Sequence, residues 1–279
     1  MADSPRYSII TTCKGRWHHL SESLPQLLAQ PDSEVIVVDY ACPDRTAERV
    51  AESHPAARVV RVRGVEGFNA SRARNCGATE ALGETLIFVD ADVIISDRFV
   101  ALVDATLGEG AYAKPHEPEV VLDNSYQGTC VVHRRHFDLV GGYDEVLTNY
   151  GGEDLELYER LAVARVESVF LDPAAFVRVI DHDHQDRGRY FDMSAERGFL
   201  IGKVYRVAKD AMVRLNGQFD IDPDLRQQLY DEVARLVGNM ERMERKELSL
   251  EIKFPDDKTR GLHETWEFLR TVTVQVKLR

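Results

Sequence analysis

The first ninety or so residues alternate short apolar runs with amphipathic stretches, and that alternation predicts the fold. Tyr7-Ser8-Ile9-Ile10-Thr11-Thr12 is rich in β-branched residues and bounded by Lys14-Gly15, the pattern of a strand. Leu20, Leu24, Leu27 and Leu28 then share one helical face, and Gln30-Pro31-Asp32 ends the helix. Glu34-Val35-Ile36-Val37-Val38-Asp39 is a continuous apolar run closing on an acid, as in a parallel strand buried on both faces. A short helix is predicted from Asp44 to Ser53 and a third strand from Arg58 to Val62. From Asn69 to Leu82 the small residues Ala70, Ala73, Gly77 and Ala81 give a helix able to pack closely on a sheet. Thr85-Leu86-Ile87-Phe88-Val89 is a fourth strand, running into Asp90-Ala91-Asp92. Repeated strand–helix alternation predicts an α/β fold with a parallel, doubly wound sheet and ligands at the carboxyl ends of its strands.

Beyond Asp92 the pattern loosens. A strand is expected over Gln127–His133, a turn at Gly141-Gly142-Tyr143-Asp144, and a helix opening at Gly151-Gly152-Glu153-Asp154 and running to Val163. Short strands are expected near Ser168–Leu171 and Phe176–Ile180. Leu200, Val204, Val207, Ala208, Ala211, Met212 and Leu215 then keep a helical period. Leu225, Leu229, Val233, Leu236, Val237 and Met240 do so again after the starter Asp222-Pro223-Asp224. The division expected is an α/β domain over residues 1–190 and a mainly helical region over 191–279, whose apolar stripes are packing surfaces. No repeat or low-complexity tract interrupts it.

Composition narrows the class. With 44% hydrophobic and 29% charged residues in 279, the chain can bury a core and is not disordered. No apolar run approaches the roughly 20 residues of a membrane span, and Met1-Ala2-Asp3-Ser4-Pro5 has no signal-peptide character. Cys13, Cys42, Cys76 and Cys130 are scattered, with no zinc spacing, and read as reduced thiols of a cytoplasmic protein. The net charge of −12 argues against nucleic acid and anionic membrane as partners. Against that balance, Arg58, Arg61, Arg63, Arg72 and Arg74 lie close together with only Glu66 among them. This run suggests either a small anionic ligand or a solvated face.

Four segments carry candidate chemistry. Asp90-Ala91-Asp92 places two carboxylates just past a strand end, where they could bind Mg²⁺ or Mn²⁺ bridged to phosphate as hard oxygen ligands or simply cap the strand. Gly151-Gly152-Glu153-Asp154 places two acids at a helix N-terminus, where the dipole favours their ionised form; they could accept a proton or be an acidic N-cap with no chemistry. Asp181-His182-Asp183-His184 could supply a metal ligand or be a polar surface loop. Asn69 to Gly77 carries Arg72 and Arg74, able to clamp a pyrophosphate or stand as exposed helix charges.

In order, spacing and strand context these motifs resemble the GT-A glycosyltransferases, particularly family 2. Thr11-Thr12, Val37-Val38-Asp39, Arg72-Ala73-Arg74-Asn75-Cys76-Gly77 and Phe88-Val89-Asp90-Ala91-Asp92 follow that family's sequence of motifs. Tyr126-Gln127-Gly128-Thr129, Gly141-Gly142-Tyr143-Asp144-Glu145 and Gly151-Gly152-Glu153-Asp154 resemble its β-1,4-galactosyltransferase and chondroitin-polymerase branch. The resemblance spans Tyr7 to Tyr190. It implies a GT-A, Rossmann-like fold: a mostly parallel central sheet flanked by helices, here with a C-terminal helical appendage.

The resemblance also implies roles. Thr11 would contact the nucleoside, Asp39 the uracil or ribose, and Arg74 the diphosphate. Asp90, with Ala91, would bind the ribose or metal-bound water, and Asp92 would ligate Mn²⁺ or Mg²⁺. His184 or His182 would complete the metal shell, with His184 favoured by the His-Gln pair and the basic residues after it. Asp154 would be the catalytic base and Glu153 would help hold the acceptor. The implied activity is inverting, metal-dependent transfer from a nucleotide-diphosphate sugar, a UDP-sugar foremost. The acceptor hydroxyl could sit on a glycan, peptide, lipid carrier or small molecule. Two rivals are a non-catalytic nucleotide-sugar-binding module and a sugar-phosphate nucleotidyltransferase, though Cys13-Lys14-Gly15-Arg16 lacks the latter's glycine-rich loop. A dinucleotide-dependent dehydrogenase is disfavoured, because no GxGxxG follows the first strand.

Overall fold

The apolar runs of the N-terminal half pair with one another. In the computed structural model, which describes residues 4–115, 126–180, 189–191, 193–217, 219, 221–255 and 269–277, β1 (Tyr7–Cys13), α1 (Trp17–Leu28), β2 (Ser33–Tyr40), α2 (Thr46–Ser53), β3 (Arg58–Val62), α3 (Ala70–Glu80) and β4 (Thr85–Phe88) alternate as the periodicity predicts. There follow β5 (Val93–Ile95), α4 (Phe99–Thr106), β6 (Ala111–Lys114), β7 (Cys130–His133), α5 (Arg134–Leu139), α6 (Glu153–Val163), β8 (Glu167–Phe170) and β9 (Phe176–Val179). The C-terminal part holds α7 (Ala195–Asn216), α8 (Pro223–Arg242), β10 (Glu247–Pro255) and β11 (Leu269–Lys277).

The main sheet has the order β3-β2-β1-β4-β7-β6-β8. β1, β2, β3 and β4 run parallel, and β7 is antiparallel to both β4 and β6. This is the mostly parallel, helix-flanked α/β sheet expected. Residues along each strand alternate between two cores, as the strand period requires. Ile9, Val35, Val37 and Ile87 face Leu20, Leu24 and Phe99, while Ile10, Ile36, Val38 and Phe88 face Ala73, Phe137, Tyr143 and Leu157. Burial on both faces is why these strands read as unbroken apolar runs.

A third core joins α7 and α8 to Val146 and Leu147 and to the β10–β11 hairpin. The hairpin adds two strands to the mainly helical C-terminal region expected. Leu248, Leu250, Ile252 and Phe254 turn inward at alternate positions and meet Val272 and Val274 of the partner strand. Among the described residues no helix is long and apolar enough to cross a membrane.

Candidate active site

Parallel pairing brings the strand ends to one edge. The register sets Cys13 against Asp39 and Ile10 against Phe88, so the residues following β1, β2 and β4 emerge together. Asp90 and Asp92 leave β4 there and diverge to different partners. The Asp90 Oδ1 accepts from Arg74 Nη2 at 2.9 Å, and Asp92 Oδ2 accepts from Arg16 Nη1 at 2.9 Å. The first of these residues is partly open, and the second is almost wholly buried.

Arg74 is the hub of this cluster. It projects from the buried face of α3, and its side chain is only 6% exposed. Its Nη1 lies 3.0 Å from Glu153 Oε1 and 3.2 Å from Asp154 Oδ1, while Nη2 holds Asp90. Its guanidinium also sits over the Tyr143 ring, 5.1 Å from the centroid. One guanidinium thus gathers the acid after β4 and both acids of the Gly-Gly-Glu-Asp motif, which lie 79 and 80 residues away in sequence.

Glycine geometry makes this meeting possible. Gly151 and Gly152 have φ of +82° and +101°, and Gly152 is the N-cap that turns Glu153 and Asp154 inward on the first turn of α6. At Gly128 a Cβ would stand 2.0 Å from Asp90 Oδ2, so only glycine lets that carboxylate sit where Arg74 reaches it. Asn69 caps α3 through the Arg72 N–H. Asn75 exchanges hydrogen bonds with the Tyr143 backbone, donating to its carbonyl and accepting from its N–H, both at 2.9 Å, and so fixes the Gly141–Glu145 turn against α3.

The helix-dipole argument for an ionised Asp154 does not hold in this environment. Burial pushes the Asp154 carboxyl up to about 8, with Glu153 and Asp90 adding to the rise and Arg74 opposing it. The side chain is 16% exposed, and its Oδ1 accepts no hydrogen bond among the described residues. Desolvation outweighs a terminal dipole worth at most about 2 kcal/mol.

The remaining predicted residues are placed unevenly. Asp39 is buried at the end of β2 and accepts from the Cys42 N–H at 2.8 Å and the Ala47 N–H at 2.9 Å, so it shapes the loop leading into α2. Thr11 is fully buried within β1, with a hydroxyl that has no hydrogen-bond partner among the described residues. Ala91 is buried, and its carbonyl accepts from the Ser23 hydroxyl at 2.7 Å. His182 and His184 lie outside the described residues. Ile180, just before them, donates its N–H to the Asp92 carbonyl at 2.8 Å. Among the described residues no group of three or more His, Cys, Asp and Glu side chains is placed to hold a cation.

Arginines counted as a cationic run are partly neutralised by acids from other elements. Arg58 pairs with Glu34 at 2.5 Å and Arg61 with Glu48 at 2.8 Å. Sequence reasoning also missed Arg16, which has no motif around it, and a buried network behind α6. There Lys209 of α7 bridges Asp144 at 2.5 Å and Glu156 at 2.6 Å, Arg226 of α8 reaches Asp144 at 2.8 Å, and Arg160 pairs with Glu156. Burial alone would raise the Asp144 carboxyl, but Lys209 and Arg226 hold it down to about 2. The surplus of acids in the Gly-Gly-Tyr-Asp and Glu-Asp-Leu-Glu segments was the available signal, since buried acids require cations.

Two family models meet end to end over this architecture: Glycosyl transferase family 2 over residues 8–112, and the N-terminal domain of galactosyltransferase over residues 118–193. The chain carries matches to two glycosyltransferase domain models, and its fold is the GT-A one. Solved glycosyltransferases share its fold. A mannosyltransferase from Pyrobaculum calidifontis, in complex with GDP-Man and Mn²⁺, matches with a TM-score of 0.55 at 17% identity, over 87% of this chain and 73% of that one. S. aureus TarS 1-349, in complex with UDP-GlcNAc, matches with a TM-score of 0.58 at 16% identity, over 82% of this chain and 71% of the other. No curated protein sequence matches this chain.

Proposed function

We propose that this glycosyltransferase transfers a sugar with inversion, from a nucleotide-diphosphate sugar to an acceptor hydroxyl, and that the donor is a UDP-sugar. The observation that carries this reading is the span of Arg74, which holds the acid following β4 and the acids opening α6 within one guanidinium's reach. A donor bound at the strand ends and an acceptor bound at the head of α6 therefore meet across about one side chain's length. The nucleotide sugars held by the mannosyltransferase and by TarS support a nucleotide-sugar donor here.

In the proposed reaction Asp154 takes the proton from the acceptor hydroxyl. The acceptor oxygen attacks the anomeric carbon from the face opposite the leaving group, and the bond from that carbon to the diphosphate oxygen breaks in the same step. Glu153 helps hold the acceptor. Arg74 exchanges part of its carboxylate pairing for the departing diphosphate, whose negative charge grows as the bond breaks. Asp39 and Thr11 would serve the nucleoside, and Asp90 with Ala91 the ribose or metal-bound water.

The residues present fit a divalent cation in chemistry, since Asp92 offers a hard carboxylate held by a cationic partner that a metal can replace. Asp92 would hold Mn²⁺ or Mg²⁺ together with His184 or His182. The Ile180 N–H bonds the Asp92 main-chain carbonyl, two residues before His182 in sequence. A cation held there would supply neutralisation of diphosphate charge. The test is release of nucleoside diphosphate from a panel of nucleotide sugars, with and without Mn²⁺, in the wild type and in Asp92→Asn. Cation-dependent turnover lost in the variant supports the reading, and equal turnover in chelator refutes the metal role.

A further inference from the structure

A pair of thiols lies beside the strand ends and takes no part in the chemistry above. Cys13, the last residue of β1, is fully buried, whereas Cys42, in the loop after β2, is partly open to solvent. The parallel register sets Cys13 beside Asp39, and the chain turns through Ala41 at φ +47°, leaving the two Sγ atoms 3.9 Å apart. Donors converge on the outer sulfur. Cys42 Sγ accepts from the Gly15 N–H at 3.0 Å and from the Thr46 hydroxyl at 3.1 Å.

The two sulfurs differ in character. The Cys13 thiol, then the Thr46 hydroxyl and the Gly15 N–H, outweigh burial and bring the Cys42 thiol down to about 6. The bond to Cys42 and burial push Cys13 well above the ordinary thiol range. Burial raises Cys76 and Cys130 as well. Cys42 is therefore set apart from the other three as the nucleophile, and Cys13 is the thiol in contact with it.

We propose that Cys42 is a modification site for hydroperoxides, and that its oxidation is resolved by Cys13 to a disulfide. The Cys42 thiolate attacks the terminal peroxide oxygen. An S–O bond forms, the O–O bond breaks, and the alkoxide or hydroxide leaves with a proton as alcohol or water. Cys42 is then a sulfenic acid. Cys13 sulfur attacks Cys42 Sγ, the S–S bond forms, the S–O bond breaks, and hydroxide departs with the Cys13 proton as water. Two thiols lose two electrons, and one hydroperoxide gains them. Closing the contact to a disulfide of about 2.05 Å needs rotation of the Cys42 side chain away from Gly15 and Thr46. The bond would join the loops that carry Arg16 and the Asp39-capped turn.

The experiment treats the full chain with one equivalent of hydrogen peroxide at pH 7, followed by intact mass, thiol titration and peptide mapping. The expected result is loss of two hydrogen masses, a fall in titratable thiols from four to two, and a Cys13–Cys42 linked peptide that thiol reductant removes. Cys42→Ser should form no link. Cys13→Ala should instead accumulate a dimedone adduct at Cys42, because the resolving sulfur is gone. A wild type that keeps four thiols, or that is oxidised at Cys76 or Cys130 ahead of Cys42, overturns the proposal. So does alkylation by iodoacetamide at pH 7 that shows no preference for Cys42.

Discussion

Replacing Asp154 with Asn keeps the side chain's shape and removes its basicity, and the structure gives the change two opposite consequences. Burial raises the Asp154 carboxyl from 3.8 to about 8. A buried acid with a raised pKa binds a proton in the folded state that the unfolded chain has released. Stability therefore falls as pH rises from about 4 to about 8, and the loss is complete above that window. By pH 7 roughly three of the about four units between the unfolded and folded pKa values have been crossed, and at about 1.4 kcal/mol per unit the ceiling is about 4 kcal/mol. Asp154→Asn should recover on the order of 1–4 kcal/mol at pH 7, while Arg74 keeps Asp90 and Glu153 as partners. At pH 4 the gain should vanish. Transfer should meanwhile fall about 10²–10⁴-fold, the usual cost of a lost general base, with nucleotide affinity unchanged. Urea unfolding at pH 4 and pH 7, with kcat and KM measured beside it, gives both readouts. A variant that is less stable than wild type at pH 7, or that keeps its rate, refutes the reasoning.

Further outcomes follow from the same geometry. Lys209→Ala leaves Asp144 and Glu156 buried without their shared cation and should cost about 3–5 kcal/mol in urea unfolding. Gly128→Ala places a methyl 2.0 Å from Asp90 Oδ2 and should displace that carboxylate from Arg74, lowering turnover with the far-ultraviolet circular dichroism unchanged. Arg16→Ala frees Asp92 from its guanidinium and should tighten Mn²⁺ binding in calorimetry several-fold, and weaker binding would remove Asp92 from the metal shell.

Much of the fold was legible because the relevant strands are buried on both faces. Ile9-Ile10, Val35 to Val38 and Leu86 to Phe88 need no partner to be read as core. The β10–β11 hairpin was legible too, in the alternation Leu248, Leu250, Ile252, Phe254 that follows the helical period ending at Met240. The site's residue types could be read from short motifs, whereas their pairings could not. Arg16 meets Asp92 across 76 residues and Arg74 meets Glu153 across 79, with no local pattern announcing either. Asp154 shows the sharper limit. A helix N-terminus is visible in sequence, but the burial that reverses its effect exists only once α3, β4 and α6 have packed.

The most direct measurement is nucleoside diphosphate release from UDP- and GDP-sugars by the wild type and Asp154→Asn, in Mn²⁺ and in chelator. The account predicts release with a UDP-sugar that requires the cation, with a rate that rises with pH through about 8 and collapses in Asp154→Asn. Release that is indifferent to chelator and equal in the two proteins would contradict it.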